Sequence, residues 1–195
     1  MTRIFALFLL CAGLAACGVN DLDKAPVPLG DFALGHNVVR APKPVKGPAS
    51  RVATPEALTE ALSSAIEARF GRYKGDRLYH LGISIDGYVL AQPGIPLIFT
   101  PKSVMIVNVS IWDDATQTKL NEEPHQIIVS EAISGRTLIG SGNTQSADVQ
   151  LANLSAVTSK TLERWLVARM AEDGWFTAQW RAAAAAAETP AQATP

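Results

Sequence analysis

An α+β domain, built from a mainly antiparallel sheet of three to four strands with two helices packed on one face, is the fold class the sequence predicts. Three observations carry it. Residues 55–71 and 146–174 repeat apolar side chains at helical spacing, the segments between them alternate apolar and polar residues with period two, and neighbouring strands are joined by short polar turns. A sheet that is apolar on one side must cover it, and two amphipathic helices do so.

The first helix starts with Thr54 as N-cap, Pro55 at the first helical position and Glu56 where the dipole favours an acid. Ala57, Leu58, Ala61, Leu62, Ala65, Ile66 and Phe70 form its apolar stripe, and Gly71 is placed to end it in a left-handed cap. In "RLYHLGISIDGYVLA" Tyr79, Leu81, Ile83, Ile85 and Val89 share one strand face, with His80, Ser84, Asp86 and Tyr88 on the other. "SVMIVNVSIWDD" repeats the pattern, with Met105, Val107, Val109 and Ile111 opposed to Asn108 and Ser110. "QIIVSEAI" and "TLIGSGN" follow, joined by Ser134-Gly135 in a turn that suits an antiparallel hairpin.

The second helix begins near Ser146 with Asp148 in its first turn, carries Leu151, Leu154, Thr158, Leu162, Trp165, Leu166 and Arg169 along one side, and stops at Gly174. Residues 177–195 hold six alanines in a row and prolines, and read as a short aromatic-led helix fraying into a disordered tail. On the other side of the domain, residues 17–53 include Pro26, Pro28, Pro42, Pro44 and Pro48 and read as a tether. Fully extended, such a segment reaches roughly 100 Å. "NVVRAP" within it could add a short edge strand. The domain itself is expected over residues 54–176.

At the start of the chain, Arg3 is followed by an uncharged run over residues 4–16. That run is shorter than the about 20 residues a membrane span needs and has the form of a secretory signal. Leu14-Ala15-Ala16-Cys17 resembles the lipobox of bacterial lipoproteins. The resemblance implies cleavage between Ala16 and Cys17, with residues 1–16 lost and Cys17 carrying a diacylglycerol on sulfur and an acyl chain on its amine. Each buried methylene is worth roughly 0.8 kcal/mol, so several chains make a lasting anchor. Gly18, where that family commonly has Asp for inner-membrane retention, implies the outer membrane, on its periplasmic face. The alternative is an ordinary cleaved signal with a cysteine nearby. Cys11 and Cys17 are the only two cysteines, so residues 18–195 cannot form a disulfide.

Loss of residues 1–16 removes one base and leaves 16 basic and 18 acidic side chains in 179 residues, which gives no reason to expect nucleic acid as a partner. Residues 32–55 carry Arg40, Lys43, Lys46 and Arg51 without an acid, as expected of a solvated linker. The element order across residues 54–173 resembles small envelope lipoproteins that serve transport or assembly machines, and the helix-on-sheet N-terminal domain of the Tol-system periplasmic protein. That resemblance implies a fold and carries over no residue.

Two stretches are candidates for contact with a partner. Residues 91–103, "AQPGIPLIFTPKS", hold Ile95, Leu97, Ile98 and Phe99 between prolines, so a stiff apolar loop is either presented to a partner or folded over the end of the core. Trp175, Phe176 and Trp180 suit an aromatic surface or, equally, a core extension. Catalytic signals are weak. His36, His80 and His125 are scattered, there is no Gly-x-Ser-x-Gly or Walker motif, and His80 and Ser84 lie two strand repeats of about 7 Å apart. Asp113-Asp114 and Glu122-Glu123 read as a solvated acidic turn rather than a calcium loop, and no cofactor is expected. The function these features favour is a membrane-anchored, non-catalytic binding or scaffolding component of the cell envelope, held by its acyl chains and meeting an envelope protein. A small-molecule or lipid carrier, or an enzyme with its site beside the 91–103 loop, is the alternative.

Overall fold

The computed structural model describes residues 21–92, 102–130 and 146–178. Among them the chain forms strands β1 (Phe32–Arg40) and β2 (Val45–Lys46), helix α1 (Pro55–Phe70), strands β3 (Arg77–Val89), β4 (Val104–Asp113), β5 (Thr118–Lys119) and β6 (His125–Ser130), and helix α2 (Ala147–Asp173). No helix among the described residues is long and apolar enough to cross a membrane.

The α+β class holds, but the sheet is mixed and six-stranded rather than mainly antiparallel with three to four strands. β1 and β2 pair parallel to β3, whereas β3 pairs antiparallel with β4, and β4 with both β5 and β6. The difference comes from residues 17–53. Their described part is not a free tether: Leu29 and Phe32 are core residues, and the first four residues of "NVVRAP", Asn37 to Arg40, end the nine-residue strand β1. Because α1 carries the chain back between β2 and β3, a strand added before it must run parallel to β3, as in any strand–helix–strand unit. Pro42 and Pro44 fall between β1 and β2, where the ladder is interrupted, so they do not break either strand.

Local chemistry sets both helices. The Thr54 hydroxyl accepts the Ala57 N–H at 3.2 Å, and the Ser146 hydroxyl accepts the Val149 N–H at 3.2 Å. Gly174 ends α2 in the left-handed conformation (φ 74°), its N–H donating to the Met170 carbonyl. Gly71, expected to do the same for α1, instead has φ −63° and stays right-handed, with its N–H on the Glu67 carbonyl. The turn into Tyr73 continues without reversing hand, since Tyr73 N–H reaches the Phe70 carbonyl.

One hydrophobic cluster joins the layers: Leu58, Leu62, Ile66 and Phe70 of α1, Leu151, Leu154, Leu162 and Leu166 of α2, and the inward residues of the sheet. On β3 these are Tyr79, Leu81, Ile83 and Ile85, and on β4 Met105, Val107, Val109 and Ile111, as the alternation predicts. Each such burial contributes about 1.5–3 kcal/mol. Tyr88 departs from its expected outer face. A register shift between Ile85 and Gly87 inserts one residue against β4, reverses the alternation and turns Tyr88 inward, where its hydroxyl donates to the Ala53 carbonyl.

Candidate functional site

Among the described residues both helices pack on one side of the sheet and no element covers the other. The outward residues are Leu78, His80, Gly82, Ser84 and Asp86 on β3 and Ile106, Asn108, Ser110 and Trp112 on β4, with Val38 and Ile128 from the flanking strands. Four are large, apolar and well exposed: Val38 at 43%, Leu78 at 48%, Trp112 at 43% and Ile128 at 61%. Trp112 stands opposite His80, Ile128 opposite Ile106, and Val38 opposite Gly82. Since Gly82 has no side chain and Ser84 and Ser110 have short ones, a shallow trough crosses the face here, walled by Val38, Arg40 and Pro124.

The polar groups of this face are largely satisfied by one another. Ser84 Oγ donates to Asp86 Oδ1 at 2.8 Å, and the Asn108 amide donates to the other Asp86 oxygen. His80 Nδ1 accepts the His36 backbone N–H at 2.8 Å, which fixes the proton of the neutral ring on Nε2, where it meets Asp114 Oδ1 at 2.8 Å. The ring approaches so closely that a Cβ on Gly35 would lie 2.4 Å from Nδ1; only glycine fits this step of the β1 bulge. His36 lies over His80, ring centroids 4.7 Å apart. His80 and Ser84 therefore serve different partners. With both imidazole nitrogens engaged, His80 has no free nitrogen with which to act as a base toward a nucleophile.

The acidic turn also divides. Asp113 is buried against Arg77 at 2.9 Å, and Asp114 belongs to His80. No cluster of three or more potential metal ligands occurs among the described residues.

Of the residues singled out from sequence, Ala16, Cys17, Ile95, Leu97, Ile98, Phe99 and Trp180 lie outside the described residues, as do "TLIGSGN" and the Ser134-Gly135 turn. Trp175 and Phe176 do not form a surface. They are 6% and 0% exposed, Phe176 packing edge-on against Phe32 at 5.3 Å and Tyr79 at 4.7 Å. The left-handed cap at Gly174 folds the chain back over the end of the core and carries both rings inward. Trp165, a neighbour of Trp175 in this cluster, stacks on His125 at 4.2 Å. Burial and then the nearby Arg169 charge hold the His125 pKa below its ordinary value.

Sequence reading missed a charged cluster between the helices. Arg69, 2% exposed, donates to Glu163 Oε2 at 2.7 Å, Asp21 Oδ1 at 2.7 Å and Ser159 Oγ at 3.3 Å. The Tyr73 hydroxyl donates to the other Glu163 oxygen at 2.8 Å, and its pKa is raised by burial and by that carboxylate. Arg69 sits beside Phe70 and one turn after Ile66, so its position next to the apolar stripe was the available signal. Asp21, four positions past Cys17, gave none.

No protein-family model matches the chain, and no curated protein does. Solved structures resemble it in part. XCC0632 from Xanthomonas campestris, of the DUF330 family, is 14% identical over 77% of this chain and 92% of that one, with a TM-score of 0.42. The PelC dodecamer from Paraburkholderia phytofirmans is 10% identical over 68% and 91%, with a TM-score of 0.31. A candidate lipoprotein from Caulobacter crescentus is 16% identical over 72% and 93%, also at 0.31. All three likenesses are at low identity and low TM-score.

Proposed function

We propose that this protein is a lipid-anchored, non-catalytic binding component of the cell envelope, and that the open face of its sheet receives a protein partner. The observation that carries the reading is the distribution of apolar groups. Val38, Leu78, Trp112 and Ile128 are all exposed on one face, and Val38 lines a shallow trough there with Ser84, Asn108 and Ser110. An exposed tryptophan among aliphatic and small polar groups is the composition of a protein interface, where aromatic anchors fill pockets and the surrounding polar groups remain hydrated. Anchoring rests on Cys17, which follows a secretory-type run in the Leu14-Ala15-Ala16-Cys17 pattern. Placement on the periplasmic side of the outer membrane is part of the same proposal, as is a contribution from Ile95, Leu97, Ile98 and Phe99, which lie in sequence between β3 and β4.

The test uses the full chain expressed in an envelope that processes it. Cys17→Ser should abolish acyl labelling, while Cys11→Ser should leave it intact. Trp112→Ser combined with Ile128→Ser should leave labelling and the denaturation midpoint unchanged yet remove crosslinks to a specific protein. A lipid or metabolite that copurifies in place of any protein partner would mark a carrier and overturn the reading.

A further inference from the structure

Asp21 is held at the helix layer rather than free in solvent. Its Oδ1 accepts from Arg69 Nη2 at 2.7 Å and its Oδ2 from Lys160 Nζ at 2.8 Å. Arg72 adds donors to the Leu22 carbonyl at 3.2 Å and the Lys24 carbonyl at 2.8 Å. Arg69 is itself buried and fixed from its other side by Glu163 and Ser159, so the partner that Asp21 meets is rigid. Hydrogen bonds from Lys160 and Arg69 keep the Asp21 carboxyl well below the ordinary carboxylate range, so it is ionised at neutral pH. Further on, Leu29 is buried and the Asp31 N–H donates to the Phe176 carbonyl at 3.0 Å. The segment is thus fastened twice, first by a charged clamp at Asp21 and then by an apolar plug at Leu29.

Chain geometry gives the clamp a consequence. Four peptide steps separate Cys17 from Asp21 and span at most about 14 Å, whereas twelve steps separate Cys17 from Leu29 and span about 40 Å. Resting on the reading of Cys17 as acylated, we propose that the Asp21 clamp holds the α1–α2 layer against the bilayer surface and so turns the open sheet face away from the lipid. The partner of this surface is the lipid headgroup layer. Lys24, Arg69, Arg72 and Lys160 stand against Asp21, Asp23 and Glu163, an excess of a single positive charge, so covalent reach more than charge attraction keeps the domain there. Releasing the clamp lets the domain rise on the eight residues before the plug.

The experiment exploits the absence of cysteine after Cys17. Full-length acylated protein carrying Arg164→Cys on α2 or Ile128→Cys on the open face is labelled with a fluorophore. It is then reconstituted in phosphatidylcholine–phosphatidylglycerol vesicles containing an acceptor lipid. Energy transfer to the bilayer should be greater from position 164 than from 128, and Asp21→Ala should abolish the difference, with Lys160→Met reducing it. Unequal transfer that survives Asp21→Ala, or equal transfer in the parent, overturns the clamp while leaving anchoring intact. An N-terminal peptide whose mass shows no acyl groups on Cys17 overturns the anchoring reading and the clamp's consequence with it.

Discussion

Along β3, Tyr79, Leu81, Ile83 and Ile85 lie beneath the helices, while Leu78, His80, Gly82 and Ser84, one residue out of phase, face the open side. The covered face is nearly uniform. From Tyr79 to Ile85 on β3 and from Met105 to Ile111 on β4 every inward position is apolar, the helices supply matching leucines, and the one buried charge of these strands, Asp113 at the end of β4, is paired with Arg77, so core burial explains most of this face. The open face mixes a closed polar network, Ser84–Asp86–Asn108, with exposed Leu78, Trp112 and Ile128. Apolar groups scattered singly over a surface need no explanation; several on one side of one sheet set this face apart as the place to look for a partner.

The contrast is broken most severely from the covered side. Phe176→Ala removes a ring packed on Phe32 and Tyr79 and should cost about 3–5 kcal/mol, read as a lowered urea midpoint. A loss below about 1 kcal/mol would mean that this end of the core repacks freely. Gly35→Ala drives a methyl against the His80 ring and should cost about 1–3 kcal/mol by overpacking. Adding His80→Ala should restore part of that loss, since it removes the atom in conflict. A smaller effect is expected at His125. Its folded pKa lies below its ordinary 6.5, so the unfolded chain binds the extra proton first as pH falls. Its contribution is therefore complete above about pH 6.5 and declines on acidification, and His125→Gln should flatten the fall in denaturation midpoint between pH 7 and 5. The smallest change in stability is expected on the open face, where Trp112→Ser should shift ΔG by no more than about 0.5 kcal/mol.

The period-two pattern located the inward residues of β4 and those of β3 up to the bulge, and the caps at Thr54 and Ser146 placed both helix starts, because these depend on neighbours a few residues away. The parallel strand β1 was hidden by five prolines that flank or follow it, and its partner β3 is more than forty residues distant, beyond any local signal. Tyr88 was misplaced because a one-residue bulge leaves no mark in composition. The open-face candidates were legible in principle: Leu78, Trp112 and Ile128 occupy polar-phase positions of otherwise alternating strands. The Asp21–Arg69–Glu163 cluster was not, since it joins three distant segments by charge.

Site-specific photocrosslinking in intact envelopes tests the central claim most directly. A photoreactive residue is placed at Trp112 or Ile128 on the open face, and at Arg164 on the helix layer, in the full acylated chain. One discrete protein adduct is expected, shared by positions 112 and 128 and absent at 164. Adducts at 164 alone, or none at either open-face position in a chain that folds and is acylated, would contradict it.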